Sequence, residues 1–223
     1  MARISDISKI ISILLKKYKL EIPWNKSNYS LFEILISVIL SQRTYWRNAQ
    51  LALKRFRSKF RSLRELSLAS EEEIAEIIRP AGLYKIKARR IKMIASALLK
   101  EYEGALDWVL RLSCEKAREE LMKLAGIGPK TADVFLMIAR GEKIIPIDTH
   151  IFRIMRRLGI ASAGDNYESL KKKLEEHVSP ELRPKLHFIL IKFGRNICKA
   201  RNPKCSDCPI AMYCDWFKNQ QRK

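Results

Sequence analysis

The chain has 223 residues, 47% of them hydrophobic, with only eight glycines and eight prolines; this excludes a disordered or low-complexity sequence and suffices for one large core or two small lobes. Lysine and arginine outnumber acids 44 to 24, and the resulting +20 exceeds what solubility needs and points to a polyanion as partner. No apolar run approaches the roughly 20 residues of a membrane span, since ILISVIL is bounded by Glu33 and Ser41.

In chain order, the pattern is helix after helix. The N-terminal ISKIISILLKK repeats apolar residues at helical spacing, is broken by Lys9 and lacks a small-residue cleavage site. It reads as an amphipathic helix rather than a signal peptide, which places the chain in the cytoplasm, where thiols stay reduced. SLFEILISVILSQ is nearly all apolar and long enough for a buried helix. The basic runs LKRFRSKFRSLR and YKIKARRIK read as solvated helix faces with a large positive field. SEEEIAEIIRPAGLY places acids in a first helical turn and stops before Pro80, and KARRIKMIASALLKEY repeats apolar residues at three and four. KIIPID is extended but too short to seed a sheet. The tail DWFKNQQRK is polar and basic and is expected to fray.

Between these runs lies LMKLAGIGPKTADVFL. SCEKAREELMKL predicts a helix starting near Ser113, AGIG a tight turn, and PKTADVFLMIARG a second helix with Pro129 in its first turn and Gly141 just past its end. Gly126 and Gly128 let backbone approach a ligand, and open amides at the next helix start make a small anion seat. In isolation the motif equally suits an ordinary helical packing unit. Lys130 is what that plainer reading leaves unexplained. The positive end of a helix disfavours a cation, and the same field with partial burial favours the neutral, nucleophilic amine. Further on, PIDTHIFRIMRRLG puts Asp148 where a helix begins; its plain role is N-cap, compatible with stabilising a developing cation or moving a proton.

Four of the five cysteines fall in CKARNPKCSDCPIAMYC: Cys198, six residues, Cys205, two residues, Cys208, five residues, Cys214. In a reducing compartment this implies a four-thiolate metal site, zinc or iron–sulfur alike on this arithmetic, with a disulfide pair as the competing reading. Lys199, Arg201 and Lys204 lie between the first two cysteines, where a pinned loop would hold them toward an anion. Cys114 stands apart and reads as a small buried side chain.

Taken in order and at these separations, ILSQRT, AGLY, LAGIGPKTA, IDTHIFR and the cysteine pattern resemble the endonuclease III family of helix-hairpin-helix DNA glycosylases, from about Trp24 to Cys214. The resemblance implies an all-α fold of two helical lobes with a cleft between them: a six-helix barrel over 24–137 carrying the helix-hairpin-helix, and a discontinuous lobe of 1–23 and 138–223. That second lobe would carry a [4Fe–4S] cluster on Cys198, Cys205, Cys208 and Cys214, serving structure and DNA contact. It implies a bifunctional DNA glycosylase and apurinic/apyrimidinic lyase, acting on oxidised pyrimidines in base excision repair, with Lys130 as nucleophile and Asp148 as its catalytic carboxylate. The implied partner is double-stranded DNA holding damaged bases or abasic sites, bound by a cytoplasmic, nucleoid-associated monomer that does not engage membranes. Gln42, Arg43 and Leu83 are candidates to fill the gap in the duplex, with core packing as the competing role for Leu83. His150 would lie near the pocket, and Gly126, Gly128, Lys199, Arg201 and Lys204 would meet phosphates.

The chain departs from the family pattern at Ala125, where a proline usually precedes the first hairpin glycine, at Arg43, often a glutamine, and at Trp46, commonly an aspartate. The first should leave the turn less stiff but intact; the others bear on base preference. Two further readings share many of these features. A mismatch-specific thymine or uracil glycosylase would share fold and cluster, though such members generally replace the lysine. A non-catalytic iron–sulfur protein that only binds DNA would use the charge and the hairpin alone.

Overall fold

A computed structural model describes residues 6–18 and 29–221. Trp24, where the family resemblance begins, and the expected 23/24 boundary lie outside the described residues. The chain divides into two compact units, Lys26–Glu142 and a second made of Met1–Asn25 with Lys143–Lys223. Every regular element among the described residues is helical, as the periodicity predicts, and KIIPID forms no strand. No helix among them is long and apolar enough to cross a membrane.

α1 (Ile7–Lys17) belongs to the discontinuous unit, and its apolar stripe of Ile7, Ile10, Ile11 and Leu14 is buried. The other unit holds α2 (Leu31–Ser41), α3 (Trp46–Lys59), α4 (Leu63–Leu68), α5 (Glu71–Ile77), α6 (Tyr84–Glu101), α7 (Trp108–Arg111), α8 (Cys114–Lys123) and α9 (Pro129–Ala139). α2 is buried over Ile34–Leu40, as expected of a helix apolar on all sides, and packs against α3, α6 and α9. Its start is fixed by a capping box in which the Ser30 hydroxyl accepts from the Glu33 amide and the Glu33 carboxylate accepts from the Ser30 amide. The Ser70 hydroxyl caps α5 by accepting the Glu73 amide and that of Ser113 caps α8 by accepting the Lys116 amide, so both start where the sequence predicts. α5 ends ahead of Pro80, whose segment Arg79–Ala81 forms a 3-10 turn.

The discontinuous unit continues with α10 (Thr149–Leu158), α11 (Tyr167–His177), α12 (Arg183–Asn196) and α13 (Asp215–Gln221). Ile7, Ile10 and Leu14 of α1 share one core with Ile151, Ile154 and Leu158 of α10, Leu170 and Leu174 of α11, and Ile189, Leu190 and Phe193 of α12. Each such side chain contributes about 1.5–3 kcal/mol of burial. Cys198, Cys208 and Cys214 pack on the edge of this core, so the cysteine segment is built onto its hydrophobic centre. One expectation is corrected for the described part of the tail: Asp215–Gln221 form α13, over whose Trp216 ring the Arg157 guanidinium stands 4.7 Å from the centroid. The aromatic face offers a cation an attraction that polarity alone does not reveal.

Candidate functional site

The hairpin joins α8 to α9 through Leu124–Gly128. Gly126 has φ +73, where any other side chain would be strained, and an added Cβ would stand 2.5 Å from Arg90 Cδ, so the arginine would also have to move. Gly128 is the N-cap of α9 and faces open space, with nothing within 4 Å of an added Cβ. Ala125 leaves the turn intact, closed by the Ile127 amide donating to Leu124 O at 3.1 Å. One expectation needs correction. The amide of Thr131, expected to be open, donates to Gly128 O at 2.9 Å, and that of Ala132 donates to the same oxygen at 3.0 Å. Pro129 takes the first helical position and Lys130 the second, half-buried at the positive end of α9.

The arms of the hairpin are joined by an ion pair that sequence reasoning missed. Asp133, on α9 and fully buried, accepts from Arg118 Nε of α8 at 2.7 Å. Gln42 is bound to the same helix start: its Nε2 donates to Thr131 Oγ1 at 3.1 Å, and its Oε1 accepts a long 3.4 Å contact from Arg90. Arg90 therefore touches both Gly126 and Gln42, a position its place in a basic run did not disclose.

Arg43 and Leu83 sit in two turns that share a feature: both are non-glycine residues in the left-handed region, with φ 50 and 49. That conformation costs about 1–3 kcal/mol for a side chain of this size and persists only where surroundings impose it. Leu83 is 50% exposed, so core packing is not its role; Arg43 is exposed as well. Trp46, the third departure, opens α3 at a cap where Tyr45 makes no side-chain bond.

In the discontinuous unit, Asp148 caps α10, accepting the Ile151 amide at 2.8 Å and leaving its second carboxylate oxygen for other work. Lys130 and Asp148 thus each mark a helix start, one in each unit. His150 is half-buried, and burial lowers its pKa, keeping the ring neutral at neutral pH. Its Nδ1 lies 3.1 Å from an Arg153 nitrogen. Gly194 of α12 is required there, because a Cβ would stand 2.8 Å from His150 Cβ. Arg153 also donates to Gly194 O at 2.9 Å and to Cys198 O at 2.8 Å. One turn on, Arg157 donates to Lys199 O at 2.7 Å and Ala200 O at 3.1 Å, and stands 3.3 Å from Cys198 Sγ. α10 therefore runs from Asp148 to the cysteine segment and grips its first residues.

Cys198, Cys205, Cys208 and Cys214 line one small cavity of about 20 Å³, walled by Ile197, Pro203, Ala211, Trp216 and Phe217. Burial, reinforced by the neighbouring thiols, pushes Cys208 up to about 11 and raises Cys205 and Cys214 too. These three thiols, together with Cys198, are the donor set that a cationic iron centre converts to thiolates. Among the described residues, no three His, Cys, Asp or Glu side chains converge tightly enough to hold a single metal ion. The four thiols instead share the walls of one cavity. The segment is closed by the Lys204 amide donating to Ile197 O at 2.9 Å, and Lys199, Arg201 and Lys204 are exposed along it. Cys114, apart from this group, is half-buried at the start of α8, and burial raises its thiol to about 11.

An all-helical fold with a glycine hairpin, a lysine at the following helix start and a four-cysteine segment defines a class. Residues 36–180 match the HhH-GPD superfamily of base excision DNA repair proteins, and the chain belongs to that superfamily. Residues 198–214 match the iron–sulfur binding domain of endonuclease III. The chain is 34% identical to the Endonuclease III of Thermotoga maritima over 201 residues, covering 89% of each. It is 31% identical to that of Bacillus subtilis, over 86% of this chain and 84% of the other. A solved structure of a trapped endonuclease III–DNA covalent intermediate, an estranged-adenine complex, matches with TM-score 0.85 at 32% identity and covers 100% of both chains. The protein is thus an endonuclease III-like DNA N-glycosylase of base excision repair, with a [4Fe–4S] cluster as cofactor.

Proposed function

We propose that the protein is bifunctional, releasing oxidised pyrimidines from duplex DNA and then cutting the strand by β-elimination. The observation that carries this reading is Lys130, held at the second position of α9 beside the open face of Gly128. A lysine there serves no capping purpose, and the 32% identical relative was trapped as a covalent intermediate with DNA.

In this reading the damaged nucleotide turns out of the helix, while Arg43 and Leu83 enter the gap and Gln42 stays tied to Thr131. Lys130, in its unprotonated form, attacks the sugar C1′ as the C1′–N bond to the base breaks. The free carboxylate oxygen of Asp148 balances the positive character growing on the sugar and helps transfer protons, with neutral His150 bordering the pocket. Opening of the sugar ring leaves an iminium between Lys130 and C1′. This acidifies the 2′ proton, whose removal expels the 3′ phosphate and cuts the strand. Cys198, Cys205, Cys208 and Cys214 would hold the cluster, whose contribution is to fix the segment that presents Lys199, Arg201 and Lys204. The partner is double-stranded DNA with damaged bases or abasic sites, bound by a monomer associated with the nucleoid.

Duplexes holding thymine glycol, uracil, an abasic site or a G·T mismatch test the assignment. The expected result is base release and strand cutting at thymine glycol, strand cutting at the abasic site, and little action on the other two. Base release from G·T without strand cutting would favour the mismatch-specific reading, and no release anywhere would favour a binding protein.

Binding should weaken steeply with salt. Neutralising Lys199 and Arg201 together should lessen the slope of log affinity against log salt by about 0.9 for each phosphate no longer neutralised. Relative preference among lesions should stay the same, because phosphate contacts carry no base information. An unaltered slope would remove this segment from the DNA interface.

A further inference from the structure

We propose that Lys87 is a positioning residue for base excision: its ammonium locks the turn bearing Arg43 to the turn bearing Leu83, so that both side chains meet the duplex in one fixed geometry. The inference rests on the proposed function, in which those two turns fill the gap left by the extruded nucleotide.

Lys87 lies on α6 one helical turn after Leu83, inside a run of cations, yet it is 1% exposed. Its Nζ donates to Leu40 O at 2.8 Å, Thr44 Oγ1 at 2.7 Å and Ala81 O at 2.9 Å. An ammonium carries three N–H groups, so every donor is engaged. Leu40 and Thr44 bracket the turn that contains Arg43, and Ala81 immediately precedes Gly82 and Leu83. The Thr44 hydroxyl is itself hydrogen-bonded to Ala81 O and lies 3.0 Å from Gln42 O. Lys87 and Thr44 thus form one knot that holds both turns by their backbones.

A purely structural purpose does not account for a cation here. Lys87 shares the buried stripe of α6 with Ile91, Ile94 and Leu98, where an apolar side chain would pack without desolvation cost. Burial indeed pushes its pKa down to about 8. What the ammonium adds is three directed bonds to two turns that each hold a bulky residue in the left-handed region. A methionine of similar length would leave the three acceptors without this donor and the two turns without their common tie.

The test uses the full-length protein with its cluster, and a duplex carrying 2-aminopurine, fluorescent when unstacked, beside thymine glycol. In Lys87→Met, judged folded by circular dichroism and by cluster absorbance, the fluorescence rise and base release at saturating DNA should slow roughly 100-fold, the scale of a misplaced working group. Affinity for undamaged duplex should stay at the wild-type value, because the phosphate-binding surface is untouched. Thr44→Val keeps Lys87 and both carbonyls and should slow the same two steps about tenfold, the rate equivalent of one hydrogen bond. Should Lys87→Met fail to fold, Thr44→Val decides. Wild-type rates in a folded variant, or an equal loss in undamaged-duplex affinity, would overturn the proposal. Leu83→Ala separates the two readings. If it leaves the fluorescence step unchanged, gap filling itself is wrong; if it slows that step while Lys87→Met does not, only the role of Lys87 falls.

Discussion

Lys130→Gln should abolish base release and strand cutting while leaving DNA binding close to wild type. Glutamine keeps comparable reach and polarity but has no basic amine, so it can form no iminium. It also sits as comfortably as lysine in the first turn of α9, where Pro129 and Gly128 set the backbone. The expected loss in the single-turnover rate is at least about 1,000-fold, equivalent to about 4 kcal/mol of transition-state stabilisation. The folded state should hardly notice, since the buried Asp133–Arg118 pair and the apolar face of α9 secure the hairpin independently of residue 130. Affinity for lesion-bearing duplex, measured beside the rate, separates removal of a nucleophile from removal of a phosphate-binding group. A variant that still releases bases at an appreciable rate would assign Lys130 to the phosphate seat alone.

Asp148→Asn should lower the rate by roughly 100-fold, the magnitude of one missing electrostatic stabiliser. The prediction is sharp because Asp148 has two separable functions. One carboxylate oxygen caps α10 through the Ile151 amide at 2.8 Å, a bond that an asparagine oxygen reproduces nearly as well. The melting midpoint should therefore move by no more than about 3 °C. What asparagine removes is the negative charge that offsets positive character on the sugar. A large fall in stability with a matching fall in rate would reduce Asp148 to a cap, and unchanged kinetics would remove it from the chemistry.

Much of this architecture is legible because local rules and the fold agree. Ser30, Ser70, Ser113 and Asp148 each stand where a cap is needed, and each accepts the expected amide. The hairpin follows from Gly126, Gly128 and Pro129, whose conformational preferences are intrinsic to those residue types. The cysteine spacing is similarly explicit, because a cluster dictates its own ligand geometry. Illegible were the cations whose acceptors are distant in sequence. Lys87 reads as part of a solvated basic run, yet its partners include backbone oxygens 47 and 6 residues away. A signal existed: Lys87, Ile91, Ile94 and Leu98 follow helical spacing, which places the lysine on the buried stripe. Arg153 and Arg157 give no such hint, because Cys198 O and Lys199 O become acceptors only once the cysteine segment folds against α10. Leu83 is ambiguous in the sequence for a related reason. Its exposure follows from the left-handed start of α6, which no residue type in GLY other than the glycine foretells.

The central claim is that one lysine performs the covalent chemistry, and its most direct test is chemical trapping. Borohydride added while the wild-type protein turns over a duplex holding intact thymine glycol should reduce the iminium and leave a stable protein–DNA adduct. An intact damaged base is essential, since the α-amino group or a surface lysine can condense slowly with a preformed abasic site. Digestion and mass mapping should place the adduct on the peptide containing Lys130. Base release without any adduct, or an adduct carried by a different amine, would contradict the account.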